Sequence, residues 1–296
     1  MKIRLILAAA LITTSMAVYA ESHHSESPKF KTTKLTDNIW MLQGKGGNIA
    51  VLSGKQGILM IDADYRNMSA ALKQALKPFG GEQKLAYIIN THWHGDHTQG
   101  NKIFGKHANI VAHDNVRARL LTTQEVKLFK MVSKPYPVHA VPSITYDKSM
   151  RLYINDQKVN IVHYANGHTD GDSIVFFEKA NVVHMGDHHF SGFFPFVDID
   201  TGGNVLTMAA NVKKVLALIN DKTKVIPGHG PLSNKADLKA FYDMLIGTSN
   251  EVKAMKDKGK SLAEIQKAGL SKRWDEWTDG FLSTEVWIGI VYNSLK

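Results

Sequence analysis

The chain of 296 residues contains no cysteine. Disulfides are therefore excluded as a source of stability, and so are thiolate metal ligands and a cysteine nucleophile. No internal repeat of solenoid type is present. Hydrophobic residues at 44% and charged residues at 21% allow a full core and fit one soluble α/β catalytic domain. Acidic side chains are outnumbered, Asp plus Glu 27 against Lys plus Arg 36, for a formal charge of +9. The lysines are scattered, and the cluster from Lys253 to Lys260 is offset by Glu251 and Asp257. They read as solvated faces, and no nucleic acid partner is expected. Long apolar runs are lacking too. The run Leu5–Leu11 follows Lys2 and Arg4 and precedes Val18-Tyr19-Ala20, the pattern of a cleaved secretory signal too short to span a membrane comfortably. The expected product begins at Glu21, is periplasmic or secreted, and has no stable membrane insertion.

What is present is histidine, 14 residues in all. Thr91-His92-Trp93-His94-Gly95-Asp96-His97 follows a strand-like run over 84–90. In extended chain, side chains at i and i+2 share a face, so His92 and His94 can grip one ion. Beyond the turn at Gly95, Asp96 and His97 can point toward a second. Nitrogen and carboxylate oxygen without thiolate suit Zn²⁺, and Fe or Mn would also be held. Further donors stand at the ends of later strand-like runs: His168 in 166–172, Asp187 after 181–184, and His229 in 224–230.

This order, HxHxDH followed by a lone His, an Asp and a last His, resembles the metallo-β-lactamase superfamily over about Leu35 to Ile246. The resemblance implies that His92, His94 and His168 bind one metal and Asp96, His97 and His229 another, with Asp187 bridging, for two Zn²⁺ per chain. Asp96 and Asp187 are the implied catalytic carboxylates. The implied fold is α/β, a four-layer αββα sandwich with the metals at one edge. The expected division is a signal peptide over 1–20, a flexible leader over 21–34, the catalytic domain over 35–246 and a helical C-terminal extension over 247–296 packed on it.

Strands are expected over 37–41, 47–53, 57–62, 84–90, 108–112 and 159–162, and helices over 67–76, 115–130, 204–219 and 235–246. Pro135, Pro137 and Pro142 mark an irregular loop beside the active site. Trp274, Trp277, Phe281, Trp287 and Tyr292 read as core or inter-element contacts. Of Phe190, Phe193, Phe194 and Phe196, one or two are expected in the pocket wall. His184 reads as a packed strand residue, and His107, His113, His139 and His163 fall outside the ligand pattern. His188 and His189 neighbour Asp187, which leaves a supporting or a substrate-contact role open to them, and Asp172 is a further candidate support, accepting an imidazole N–H.

Two cations flanking one water lower its pKa toward neutrality, and an open coordination position polarises an acceptor oxygen. The expected reaction is hydrolysis of a small molecule by a metal-bridging hydroxide, at an ester, lactone, thioester or related bond. Among relatives, a bridging carboxylate typifies glyoxalase II-like, lactonase-like and phosphodiesterase-like members, whereas true β-lactamases generally carry Cys or Ser there. Phe190 stands where the first lactamase subclass has a lysine for the drug carboxylate. Both points argue against an efficient β-lactamase. The alternatives are a β-lactamase like the third subclass, an iron oxidoreductase resembling the persulfide dioxygenases, and a non-catalytic metal-binding protein.

Overall fold

The computed structural model describes residues 29–295, so the expected signal peptide and most of the leader lie outside the described residues. The strands are β1 (Lys31–Lys34), β2 (Ile39–Gln43), β3 (Ile49–Gly54), β4 (Gly57–Ile61), β5 (Leu85–Ile89), β6 (Asn109–His113), β7 (Gln124–Val126), β8 (Met131–Ser133), β9 (Ile144–Tyr146), β10 (Ser149–Ile154), β11 (Gln157–His163), β12 (Ser173–Phe177), β13 (Val182–His184) and β14 (Lys224–Ile226). The helices are α1 (Ser69–Leu76), α2 (Gly95–Thr98), α3 (Asn101–Phe104), α4 (Asp114–Leu120), α5 (Val205–Leu218), α6 (Lys235–Asp257), α7 (Leu262–Ala268) and α8 (Thr284–Ser294). One sheet runs β1-β2-β3-β4-β5-β6-β9 and the other β10-β11-β12-β13-β14, while β7 and β8 pair only with each other.

Side-chain alternation assigns each strand residue to a layer. Along β3, Ile49 and Val51 pack outward with Leu72, Leu76 and Phe104. Ala50 and Leu52 pack inward among Val159, Ile161 and Phe177 of the second sheet. On the far face of that sheet, Ile174 and Val183 join Met208, Phe241 and Trp287 of the helical layer. Strands apolar on both faces are what a sheet buried on both sides requires. The result is the expected αββα arrangement with additional C-terminal helices. Among the described residues, no helix is long and apolar enough to cross a membrane.

Three expectations need correction. The helix over 115–130 stops at Leu120, where the hydroxyl of Thr122 donates to the carbonyls of Ala118 and Arg119. Residues 124–133 instead form the β7–β8 hairpin, with Lys130 left-handed at φ 52°. Helix α6 continues through the expected boundary at 246/247. It runs to Asp257, and at Gly247 within it the Trp274 ring lies 2.2 Å from where a Cβ would sit. Lys31–Lys34, assigned to the flexible leader, pairs antiparallel with β2.

Candidate metal centre

Each donor sits where a strand gives way to a loop or short helix. His92 and His94 follow β5, and Asp96 and His97 lie in α2. His168 lies between β11 and β12, Asp187 follows β13, and His229 follows β14. Glycines allow the close approach. A Cβ on Gly47 would lie 2.1 Å from the His97 ring, and one on Gly228 2.0 Å from Asp187 Oδ1.

The outer nitrogens fix the tautomers. Asp62, left-handed at φ 64°, accepts from the Thr91 backbone N–H, the Thr91 hydroxyl and His97 Nδ1–H, each at 2.8 Å. The Thr91 hydroxyl proton being committed, its oxygen accepts His92 Nδ1–H at 3.0 Å. His94 Nε2–H donates to Asp198 at 3.0 Å, and His168 Nδ1–H to the Phe196 carbonyl at 2.8 Å. The inner nitrogens are then bare lone pairs. His94 Nδ1 lies 2.8 Å from His168 Nε2 and 3.1 Å from His92 Nε2. Three lone pairs that close repel one another unless a cation stands among them, so the donor set fits a metal.

Beside this trio, His97 Nε2 lies 3.3 Å from His229 Nε2 and 3.5 Å from Asp96 Oδ2, which is 3.2 Å from His229 Nε2. Asp187 stands between the groups. Its Oδ1 is 3.1 Å from His97 Nε2, and its Oδ2 is 3.4 Å from both His168 Nε2 and His229 Nε2. Oδ1 is buried without a well-oriented hydrogen-bond donor, as a metal-facing oxygen would be. Within each of three groups, His92/His94/His168, Asp96/His97/His229 and His92/His97/Asp187, the donor atoms lie within 4.8 Å of one another. All seven residues expected from the sequence therefore converge.

In the metal-free chain protons answer the carboxylates. Burial would depress His97 and His229, but the charges of Asp187 and Asp96 raise His97 well above its ordinary value and His229 to about 9. Burial would raise Asp96 and Asp187, yet the facing imidazoles hold both below the usual carboxylate range. Burial brings His168 down to about 4, and His188 and His189 to about 3. The signs define a pH profile. Stability from the raised pair is complete below the ordinary imidazole value of 6.5 and lost as pH rises through about 9. Stability from the depressed histidines is lost as pH falls below 6.5. Chelator-treated protein should therefore melt highest near pH 6.5, with His229 alone costing of order 3 kcal/mol on the alkaline side, roughly 6–12 °C. A melting temperature in calorimetry that is flat or rising between pH 6.5 and 9.5 would contradict this assignment.

A cavity of about 300 Å³ opens over the site. Its apolar wall is Val126, Phe129, Met131, Phe190, Phe196 and Phe281, with Lys45 and Tyr65 as polar groups beside the candidate ligands. Phe190 and Phe196 are thus the wall rings, whereas Phe194 stacks on Trp287 in the core. The loop around Pro135 is not part of the wall. Tyr136 is buried within it and hydrogen-bonds Thr98 at 3.0 Å. The Asp172 carboxylate does not accept an imidazole N–H; His163 Nδ1–H goes to the Asp172 backbone carbonyl at 2.8 Å, and His188 Nδ1 stands 3.8 Å from the carboxylate. The carboxylate accepts the backbone N–H groups of His168 and Thr169 and the Thr169 hydroxyl, and burial raises it to about 8. His188 meets Asn211 at 3.2 Å and His189 meets Ser233 at 2.9 Å, both buried. The carboxylates that take imidazole protons are Asp62 and Asp198, which the motif analysis missed. The only available cue for Asp62 was its place directly after β4.

A family model described as the metallo-beta-lactamase superfamily matches residues 42–229. The chain is 23% identical over 215 residues to the beta-lactamase-like protein 2 homolog of Caenorhabditis elegans, covering 68% of this chain and 64% of that protein. It is 25% identical over 199 residues to a probable metallo-hydrolase of Methanocaldococcus jannaschii, covering 65% and 91%. Among solved structures, the metallo-beta-lactamase from Pontibacter korlensis aligns with TM-score 0.57 and 14% identity, over 73% of this chain and 99% of that one. The sec-alkylsulfatase Pisa1 from Pseudomonas sp. aligns with TM-score 0.66 and 15% identity, over 90% of this chain and half (50%) of that one. At these identities the solved structures show a shared fold.

Proposed function

The chain belongs to the metallo-β-lactamase superfamily, and on that premise we propose that it is an exported binuclear zinc hydrolase of small carbonyl esters, lactones or thioesters. In this reading His92, His94 and His168 hold one ion and Asp96, His97 and His229 the other. The observation that carries it is Asp187, buried between the groups with one oxygen toward His97 and the other toward His168 and His229. Ions held there would supply a water ionised near neutral pH and a Lewis acid for the acceptor oxygen.

The rest is the work of side chains. Asp96 lines the cavity and can orient the attacking water with its second oxygen. Tyr65 also lines it. Burial and the charges of Asp96, Asp64 and Asp187 push its phenol above the ordinary range, so it remains a hydrogen-bond donor to substrate. Lys45 offers a positive charge at the same wall. The aromatic wall excludes water and favours an apolar acyl group. Asp187 carries its charge between the two groups, which lessens assistance to a poor leaving group such as a β-lactam nitrogen. Alkoxide and thiolate leaving groups need it less.

The test uses protein from a periplasmic fraction, where an intact mass beginning at Glu21 is expected. We expect about two zinc ions per chain and kcat/KM on an activated ester, lactone or thioester roughly a hundredfold above any penicillin, cephalosporin or carbapenem, a gap of about 2.7 kcal/mol. β-Lactam turnover near 10⁶ M⁻¹s⁻¹, in the range of efficient enzymes, with the rest of the panel untouched would replace this reading with a lactamase. Bound iron with oxygen uptake would replace it with an oxidoreductase.

A further inference from the structure

We propose that the β7–β8 hairpin docks this protein on an anionic phospholipid bilayer, with the mouth of the metal-site cavity toward the lipid. Ten large hydrophobic side chains are exposed among the described residues. Six of them, Leu121, Leu128, Phe129, Met131, Val132 and Val138, fall within the 18 positions 121–138. Single exposed apolar residues are ordinary, but a concentration of them marks an interaction surface. Phe281, 53% exposed, extends the patch by meeting Phe129 at 6.0 Å between ring centres.

Charge selects the occupant. Lys127, Lys130 and Lys134 interleave with these side chains, and Glu125 is the one acid between positions 124 and 134. Lys127 pairs with Asp200 at 3.2 Å, whereas Lys130 and Lys134 have no ion partner among the described residues. An apolar strip edged by free ammonium groups suits a surface that offers acyl chains beneath phosphate headgroups. A second copy would bring the same lysines into opposition. The hairpin belongs to neither large sheet, so it can seat without disturbing the core. It also has two faces. Val126, Phe129 and Met131 line the cavity, while Leu128 and Val132 do not. A molecule leaving the bilayer at the hairpin would thus enter the cavity along continuous apolar surface.

Flotation with unilamellar vesicles tests this without any assay of the reaction, so its outcome is independent of the proposed hydrolysis. Wild-type protein should partition onto 1:1 phosphatidylglycerol:phosphatidylcholine vesicles at least tenfold better than onto pure phosphatidylcholine. K130Q/K134Q should weaken binding roughly 25-fold, at about fivefold per lysine near an anionic surface, and added salt should act in the same direction. L128S/V132S should lose at least tenfold in partitioning while keeping its metal content and melting temperature. Should that variant fold poorly, the lysine pair still decides. Equal binding to both vesicle types, or to neither, overturns the proposal. So does a wild-type dimer in sedimentation that V132S dissociates, because a second copy would then cover the patch.

Discussion

Asp187→Asn should cut kcat/KM on the best ester substrate roughly a thousandfold, while the protein stays folded. The substitution keeps the shape and removes the charge. Asp187 is 5% exposed and faces nitrogens of His97, His168 and His229 at 3.1–3.4 Å. A neutral amide there presents one oxygen and an N–H, and the N–H would point at one of the two groups. Metal-assisted charge stabilisation is worth several kcal/mol, and each 1.36 kcal/mol is tenfold, which sets the scale. Bound metal should fall below two per chain. Without metal, the alkaline stability loss should shrink, because His97 and His229 would lose the anion that raises them most. Full turnover with both ions retained would remove Asp187 from its proposed role.

Trp287→Ala should cost roughly 3 kcal/mol of folding stability, at the low end of the 3–5 kcal/mol typical of a buried Trp or Phe truncation. Trp287 lies in α8, fully buried, its ring stacked on Phe194 at 5.4 Å and 12°. The low end applies because its indole N–H is buried without a hydrogen-bond partner, and deleting it relieves that cost. Domains typically have only about 5–15 kcal/mol in total, so the loss is substantial for an extension beyond the residues the family model matches. Denaturant titration measures it. A change below about 0.5 kcal/mol, within the range of surface substitutions, would mean that the C-terminal helices are dispensable packing.

The candidate site was legible because its residues are few in kind and placed at strand ends. Histidine and aspartate in that order have little other use there, and the resemblance supplied the grouping. The carboxylates behind them were not legible. Asp198 lies 104 residues from the His94 it supports, and Asp62 is 35 from His97. Neither separation leaves a local pattern, since only the closed sheets bring the partners together. Asp172 drew attention through proximity in sequence, yet its carboxylate takes the backbone N–H groups of its own loop and the Thr169 hydroxyl. The sheet core was visible in apolar runs. The hairpin was not, because Gln124–Lys130 has no glycine or proline and its path is set by pairing with residues 131–133. The expected end of the helix at 246 was wrong in the opposite sense, since α6 runs on to Asp257, with the Trp274 ring packed against Gly247 inside it.

His92, His94, Asp96 and His97 hang from the seven-stranded sheet through β5, whereas His168, Asp187 and His229 hang from the five-stranded one. Each three-donor group at the centre draws on both sheets. A metal held by these groups would therefore clasp the two halves of the sandwich at one rim, in addition to the apolar contact across their faces. Apolar contact resists separation strongly but shear only weakly, since it has little directional preference. Donor atoms about 3 Å apart do have such a preference. Sliding one sheet past the other by a fraction of that distance would spoil both groups together, so bound metal would add a directional constraint on shear to the packing of the interior.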